Sequence, residues 1–269
     1  MSRLEAHLKS MGFCREEAHT IIIDTDKFIK IEVCCGSAED VILAAKAGAH
    51  RVELNSALEL GGLTPSLGAL CLARESSIKI ITMLRPRGGD FCYSDKEFDT
   101  MVLDLKLLLD NGADGIAFGI LTPDGRLDYE RCKIIVEAIH KYGGNKEAVF
   151  HMAFDDVATD EFEMIDNLES LGFSRLLTKG RAVSAYEGMN SLNRYIEYIE
   201  QRGGNLEILP GGGVRPHNAT EILKVTKATQ LHGKFHKDLG SGKLHIDFEG
   251  LKDYTKWANE YYSKKTLNQ

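Results

Sequence analysis

Ala47-Gly48-Ala49-His50-Arg51-Val52 reads as a helix end, a left-handed stop and the start of a strand, and the chain repeats it twice. The other copies are Asn111-Gly112-Ala113-Asp114-Gly115-Ile116 and Leu171-Gly172-Phe173-Ser174-Arg175-Leu176. In each, a glycine relieves the left-handed turn past a helix, and an apolar strand follows. The copies stand about sixty residues apart, which is room for two strand-helix units each, a quarter of an eight-unit barrel. Working outward, apolar or alternating runs predict strands at 28–33, 51–54, 79–84, 115–119, 148–153, 175–178, 206–209 and 229–232. Helical patterns fall between them, at 38–47, 67–75, 94–111, 129–141, 160–171, 184–202 and 218–224, with a last one at about 248–262. Ser94 followed by Glu97 is a capping-box signature for the third helix. Eight such units predict a single-domain (β/α)8 barrel over residues 28–269. Residues 1–27 form an N-terminal extension, helical near 3–9. An open doubly wound sheet is the alternative, but it wants a glycine-rich nucleotide loop after its first strand. Cys34-Cys35-Gly36-Ser37 is not one.

Bulk properties narrow the partners. The chain has 269 residues, 43% of them hydrophobic, and a net charge of -7. That acidic balance offers no general attraction to nucleic acid or an anionic membrane surface. No apolar stretch approaches the roughly 20 residues of a membrane span, and the first residues carry scattered charges without a signal core. Six cysteines without a CxxC spacing make neither a disulfide framework nor a zinc finger. A reduced, cytoplasmic setting is expected.

In a barrel of this kind the chemistry sits at the C-terminal ends of the strands. Alternation puts Ile31 and Val33 on one face and Glu32 and Cys34 on the other, and it sets Val52 and Leu54 against Glu53. The apolar parity must meet the helices, because a lone charge there would be desolvated without a partner. Glu32, Glu53, Arg85, His151 and Asp155 are therefore expected to converge near the axis. Glu32, Glu53, His151 and Asp155 are the acid/base candidates, although a Glu-Arg pair that only holds shape is the plainer alternative. In Arg85-Pro86-Arg87-Gly88-Gly89-Asp90 the proline keeps Arg85 extended, so Arg85 and Arg87 share a face. Two such forks suit a carboxylate or phosphate. Pro210-Gly211-Gly212-Gly213 leaves bare amides ahead of a helix start, where barrels tend to bind phosphate. His232-Gly233-Lys234 adds a hydrogen bond and a charge at the last strand. Arg85, Arg87, Gly211, Gly212, Gly213 and His232 are thus the expected anion-binding set.

These stretches carry a resemblance. Ile31-Glu32-Val33-Cys34, Gly61-Gly62-Leu63-Thr64-Pro65-Ser66, Arg85-Pro86-Arg87-Gly88-Gly89-Asp90-Phe91-Cys92-Tyr93-Ser94-Asp95, Phe150-His151-Met152-Ala153-Phe154-Asp155 and Pro210-Gly211-Gly212-Gly213 resemble the CutC family, named for copper homeostasis. The resemblance spans about residues 29–235. It implies a cytoplasmic, self-associating barrel tied to copper tolerance, with Cu(I) on two thiolates. Cys34 matches one of them, but Asn55 stands where the family pattern usually has the other cysteine. Cys35 is no substitute, because adjacent strand residues face opposite ways.

Two function classes follow. One is copper binding, with Cys34 as the thiolate ligand, since Cu(I) prefers soft donors. The other is an acid/base lyase or isomerase on a small anionic substrate such as a sugar acid or phosphate, with the arginines holding charge. A divalent ion such as Mg²⁺ or Mn²⁺ on carboxylates and histidine is the alternative cofactor. Tyr195 and Ile199 read as an exposed apolar face on the helix after strand six, and with the resemblance they predict a homodimer.

Overall fold

The computed structural model describes residues 28–238 and 244–266, so the expected N-terminal extension lies outside the described residues. The three repeated junctions fold alike. Gly48, Gly112 and Gly172 have φ of 88°, 93° and 89°. In each, the amide after the glycine reaches back five residues, from Ala49 to Ala44, Ala113 to Leu108 and Phe173 to Leu168. That is the Schellman closure, and it aims the next residue into the sheet. His50, Asp114 and Ser174 then donate their amides to the carbonyls of Ile31, Ile80 and Ala148.

The order is β1 (Lys30–Cys35), α1 (Ala38–Lys46), β2 (Arg51–Leu54), α2 (Leu67–Ala73), β3 (Lys79–Met83), α3 (Asp95–Asp110), β4 (Gly115–Phe118), α4 (Tyr129–Lys141) and β5 (Glu147–Phe150). Then come α5 (Glu161–Leu171), β6 (Arg175–Thr178), α6 (Met189–Gln201), β7 (Glu207–Pro210), α7 (Pro216–Thr226) and β8 (Gln230–Gly233). A hairpin of β9 (His236–Asp238) and β10 (Leu244–Ile246) precedes α8 (Phe248–Thr266). The first eight strands form one parallel sheet in the order β7-β6-β5-β4-β3-β2-β1-β8. The Gln230 side chain spans the seam, donating to Glu207 at 3.0 Å and to the Ile208 carbonyl at 3.5 Å. The fold is the expected (β/α)8 barrel.

Alternation sorts the side chains as the sequence predicts. Ile31, Val33, Cys35, Val52 and Leu54 join the layer between strands and helices. Inside, Ile81, Ala117, Val149, Leu177 and Leu209 form a separate apolar plug. Ser94 closes the expected capping box on α3, with Glu97.

Three readings need correction. Strand five ends at Phe150, because the chain turns into a short 3₁₀ helix, Met152–Asp156, started by the His151 side chain. The β9–β10 hairpin was not foreseen. Tyr195 and Ile199 are 1% and 5% exposed. Tyr195 packs edge-on against Phe154 and Phe162. Both face the core, so neither offers a partner-facing surface.

Candidate functional site

At the C-terminal ends of the strands lies a cavity of about 170 Å³, bordered by Cys34, Glu53, Asn55, Met83, Arg85, Phe91, His151, Met152, His232 and Lys234. Two motifs interlock to place Arg85. Its amide donates to Thr64 Oγ1 at 2.9 Å, and its carbonyl accepts from the Thr64 amide at 3.0 Å. Its guanidinium donates to the carbonyls of Leu60, Gly62 and Gly89 at 3.0, 3.3 and 2.6 Å. The Gly61-Gly62-Leu63-Thr64 and Arg85-Pro86-Arg87-Gly88-Gly89 stretches are thus one structure. Arg85 is 6% exposed, stacks over Phe91 at 4.8 Å, and has no carboxylate partner among the described residues. Its buried Nε–H makes no hydrogen bond, and the Tyr93 hydroxyl, likewise unsatisfied, lies near the guanidinium.

His151 also packs against Phe91, ring centres 4.9 Å apart. Its Nδ1 accepts the Ala153 amide at 3.1 Å. The ring nitrogen left to carry hydrogen is therefore Nε2, which is buried and has no partner. Burial, and then the Arg85 charge, lower the His151 pKa to about 3, so the ring is neutral. The wall thus holds two unsatisfied donors, one cationic and one neutral.

Opposite stand Cys34, Glu53 and His232, whose donor atoms lie within 4.8 Å of one another. Burial raises the Cys34 thiol and, with the nearby Glu32 charge, the Glu53 carboxyl. Burial works against a charged His232, but the neighbouring Cys34 and Glu32 side chains and the Glu53 charge outweigh it and raise its pKa well above the usual value. Asn55 Nδ2 donates to Glu53 Oε2 at 3.0 Å and to the Glu53 carbonyl at 3.1 Å, and faces Cys34 Sγ at 3.7 Å. A Cβ at Gly62 would fall 2.4 Å from Asn55 Oδ1, so only glycine fits there.

The CutC family model matches residues 29–237. This chain belongs to the CutC family. It is 48% identical over 207 residues to a family protein CutC of Treponema denticola, covering 77% of this chain and 81% of that one. It is 40% identical over 213 residues to the human copper homeostasis protein cutC homolog, covering 79% and 75%. A solved putative copper homeostasis protein CutC from Streptococcus agalactiae superposes with a TM-score of 0.68 at 34% identity, covering 76% and 98%.

Within this CutC barrel, Glu53, Arg85 and His151 of the expected axial set border the cavity, and Cys34 and His232 border it with them. Glu32 lies one step below. It pairs with Arg51 and accepts or shares a proton with His232 Nδ1 at 2.8 Å. Burial opposes its charge, yet Arg51 and His232 hold its pKa far below the usual range, so it is a fixed anion rather than a proton carrier. Arg87 turns away from Arg85. It bonds Glu97 at 2.6 Å, Asp90 at 3.0 Å and the Cys92 carbonyl at 2.7 Å, and it organises the loop onto α3. Asp155 accepts Thr178 Oγ1 at 2.7 Å and the Arg181 amide at 2.7 Å, tying the β5 and β6 loops. Gly211, Gly212 and Gly213 do not line the cavity. Gly211 is glycine because a Cβ would fall 2.4 Å from Leu177. Phe91 and Met83 were missed as wall residues, and so was Arg51 beneath it. Arg51 shares the inward parity of Glu53, which was the available signal.

Proposed function

We propose that the barrel mouth is the substrate pocket of an acid/base lyase or isomerase acting on a small anionic carbonyl compound, such as a sugar acid or phosphate. The observation that carries this is the pair of buried N–H groups, Arg85 Nε and His151 Nε2, unsatisfied in the wall of one cavity. An unsatisfied buried donor costs about 1–3 kcal/mol, so two in one small cavity call for a ligand oxygen. An oxygen between them would gain negative charge against a fixed cation and a neutral imidazole, which stabilises an enolate or alkoxide as it forms. Lys234 at the rim adds positive charge. Glu53, raised by burial, faces these donors as the carboxyl placed to move a proton.

Melting in the presence of sulfate, phosphate and small carboxylates tests the reading. At about a hundred times Kd a bound anion adds roughly 2.7 kcal/mol of stability. His151→Phe keeps the ring and removes the donor, and should weaken that anion about tenfold or more. Glu53→Gln should bind it and lose turnover. If no small anion raises the melting temperature, the pocket is not an oxyanion site.

Copper handling is the second reading, favoured by the relatives' names and by Cys34 beside Met83 and Met152 in one cavity. The donor set does not fit a Cu(I) dithiolate: Asn55 occupies the second place and Cys35 faces the helix layer. We expect at most one weakly held Cu(I) per chain, as cargo, lost in Cys34→Ala. Retention of copper by that variant against a strong Cu(I) chelator would remove this site.

A further inference from the structure

The wall facing Arg85 combines three donors of different chemistry. A Cys34 sulfur, a Glu53 oxygen and a His232 nitrogen lie within 4.8 Å of one another, on the neighbouring strands β1, β2 and β8. Each is held from behind. His232 gives its Nδ1 to Glu32 Oε1 at 2.8 Å, which leaves Nε2 for the cluster. Glu32 is itself paired to Arg51. The Asn55 amide bonds Glu53 at 3.0 Å and faces Cys34. A carboxylate behind an imidazole fixes its orientation and makes the other nitrogen a better metal donor.

We infer that Cys34, Glu53 and His232 are three ligands of a zinc-type divalent cation whose fourth position opens onto the cavity. Donors on one tetrahedral zinc stand about 3.3–3.8 Å apart, so the wall need close by only about 1 Å. Donor chemistry selects the ion. Mg²⁺ and Ca²⁺ want oxygen throughout, and Cu(I) wants soft sulfur, whereas zinc takes thiolate, imidazole and carboxylate together. Three protein ligands with an open position are the catalytic pattern, since structural zinc uses four. The three residues line the same cavity as Arg85 and His151, so a substrate oxygen held there would lie within a site that offers the ion and both donors. With the ion held, Glu53 would act as a ligand, and the ion would supply Lewis-acid stabilisation of the substrate oxygen. The assignment deepens the oxyanion-pocket reading and rests on it for its purpose, but ion binding is measured without any anion.

The full chain, stripped with a chelator, is titrated with Zn²⁺, Co²⁺ and Mg²⁺. One Zn²⁺ per chain is expected, with Mg²⁺ failing to compete. Co²⁺ should give the visible bands of a tetrahedral site and a thiolate-to-cobalt charge-transfer band. Cys34→Ser should erase that band and weaken Zn²⁺ at least a hundredfold. Glu32→Gln, a positioning change that removes no ligand, should weaken it about 10–100-fold and keep the band. Sulfate added to the cobalt protein should shift its visible bands. A charge-transfer band that persists in Cys34→Ser, no stoichiometric ion, or equal competition by Mg²⁺ overturns the assignment. Anion-dependent melting without zinc binding overturns this inference and spares the oxyanion reading. Zinc binding without any anion response does the opposite.

Discussion

The two ends of the barrel treat charge in opposite ways. At the N-terminal end, the first residues of six strands and Glu32 of β1 form a paired floor. Arg51 meets Glu32, Lys79 and Arg175 meet Glu147, and Glu207 takes Arg175 at 3.8 Å and Gln230 at 3.0 Å. At the mouth, Arg85 holds its charge against carbonyl oxygens alone, and His151 is kept neutral with a free donor. The apolar plug of Ile81, Ala117, Val149, Leu177 and Leu209 closes most of the space between. On the β8-β1-β2 side Glu32 and His232 link floor to mouth through a hydrogen bond of 2.8 Å. Each charged group of the floor has a partner of opposite sign, although the Arg175 Nε–H, like that of Arg85, makes no hydrogen bond. At the mouth Arg85 has no such partner among the described residues, which makes the mouth the candidate ligand site.

Substitutions should separate the two ends sharply. The largest effect is expected for Arg51→Met, which strands the buried Glu32 charge. Unfolding in urea should show a loss of about 3–5 kcal/mol. If it costs under about 1 kcal/mol, the floor is not the structural end.

Arg85→Ala comes next. It leaves the Leu60, Gly62 and Gly89 carbonyls without their donor, and each lost bond to a charged group is worth about 1.5–3 kcal/mol gross. A net loss of about 2–3 kcal/mol is expected, together with loss of any anion response. A variant of wild-type stability would show that the two interlocked loops do not depend on this side chain.

The pH dependence sharpens the contrast further. His151 has a folded pKa of about 3, below its unfolded value. Between those values the unfolded chain binds a proton that the folded chain does not, so stability falls as pH drops. The contribution approaches about 1.4 kcal/mol per pH unit well inside that window. His151→Phe should remove this slope and, by deleting an orphan donor, cost little near neutral pH. Equal slopes from pH 6 to pH 4 in denaturant melts of the two proteins would mean that His151 is not held neutral. Smallest is Arg87→Ala, about 0.5–1 kcal/mol, because its pairs with Asp90 and Glu97 are partly solvated. A loss above about 2 kcal/mol would place Arg87 with the buried floor instead.

Local signals in the sequence determined the barrel. The Gly48, Gly112 and Gly172 stops are set by backbone sterics within a few residues, and the two-residue strand period assigns each side chain to a face whatever its neighbours are. That is why Glu32, Glu53, Arg85 and His151, with Asp155, are expected near the axis from the sequence alone. The tertiary structure alone decided which charges were already compensated. Glu32 and Glu53 share a parity and a residue type, but Arg51 reaches only Glu32. Arg85 and Arg87 share a motif, but Glu97 of α3 draws Arg87 away from the mouth. Tyr195 and Ile199 carry an apolar pattern that fits either a partner or the core, and both are buried in the core, Tyr195 against Phe154 and Phe162. Parity is a property of one strand. Compensation depends on groups that lie far apart in the chain, at distances the sequence does not encode locally, and it separates the paired floor from the mouth.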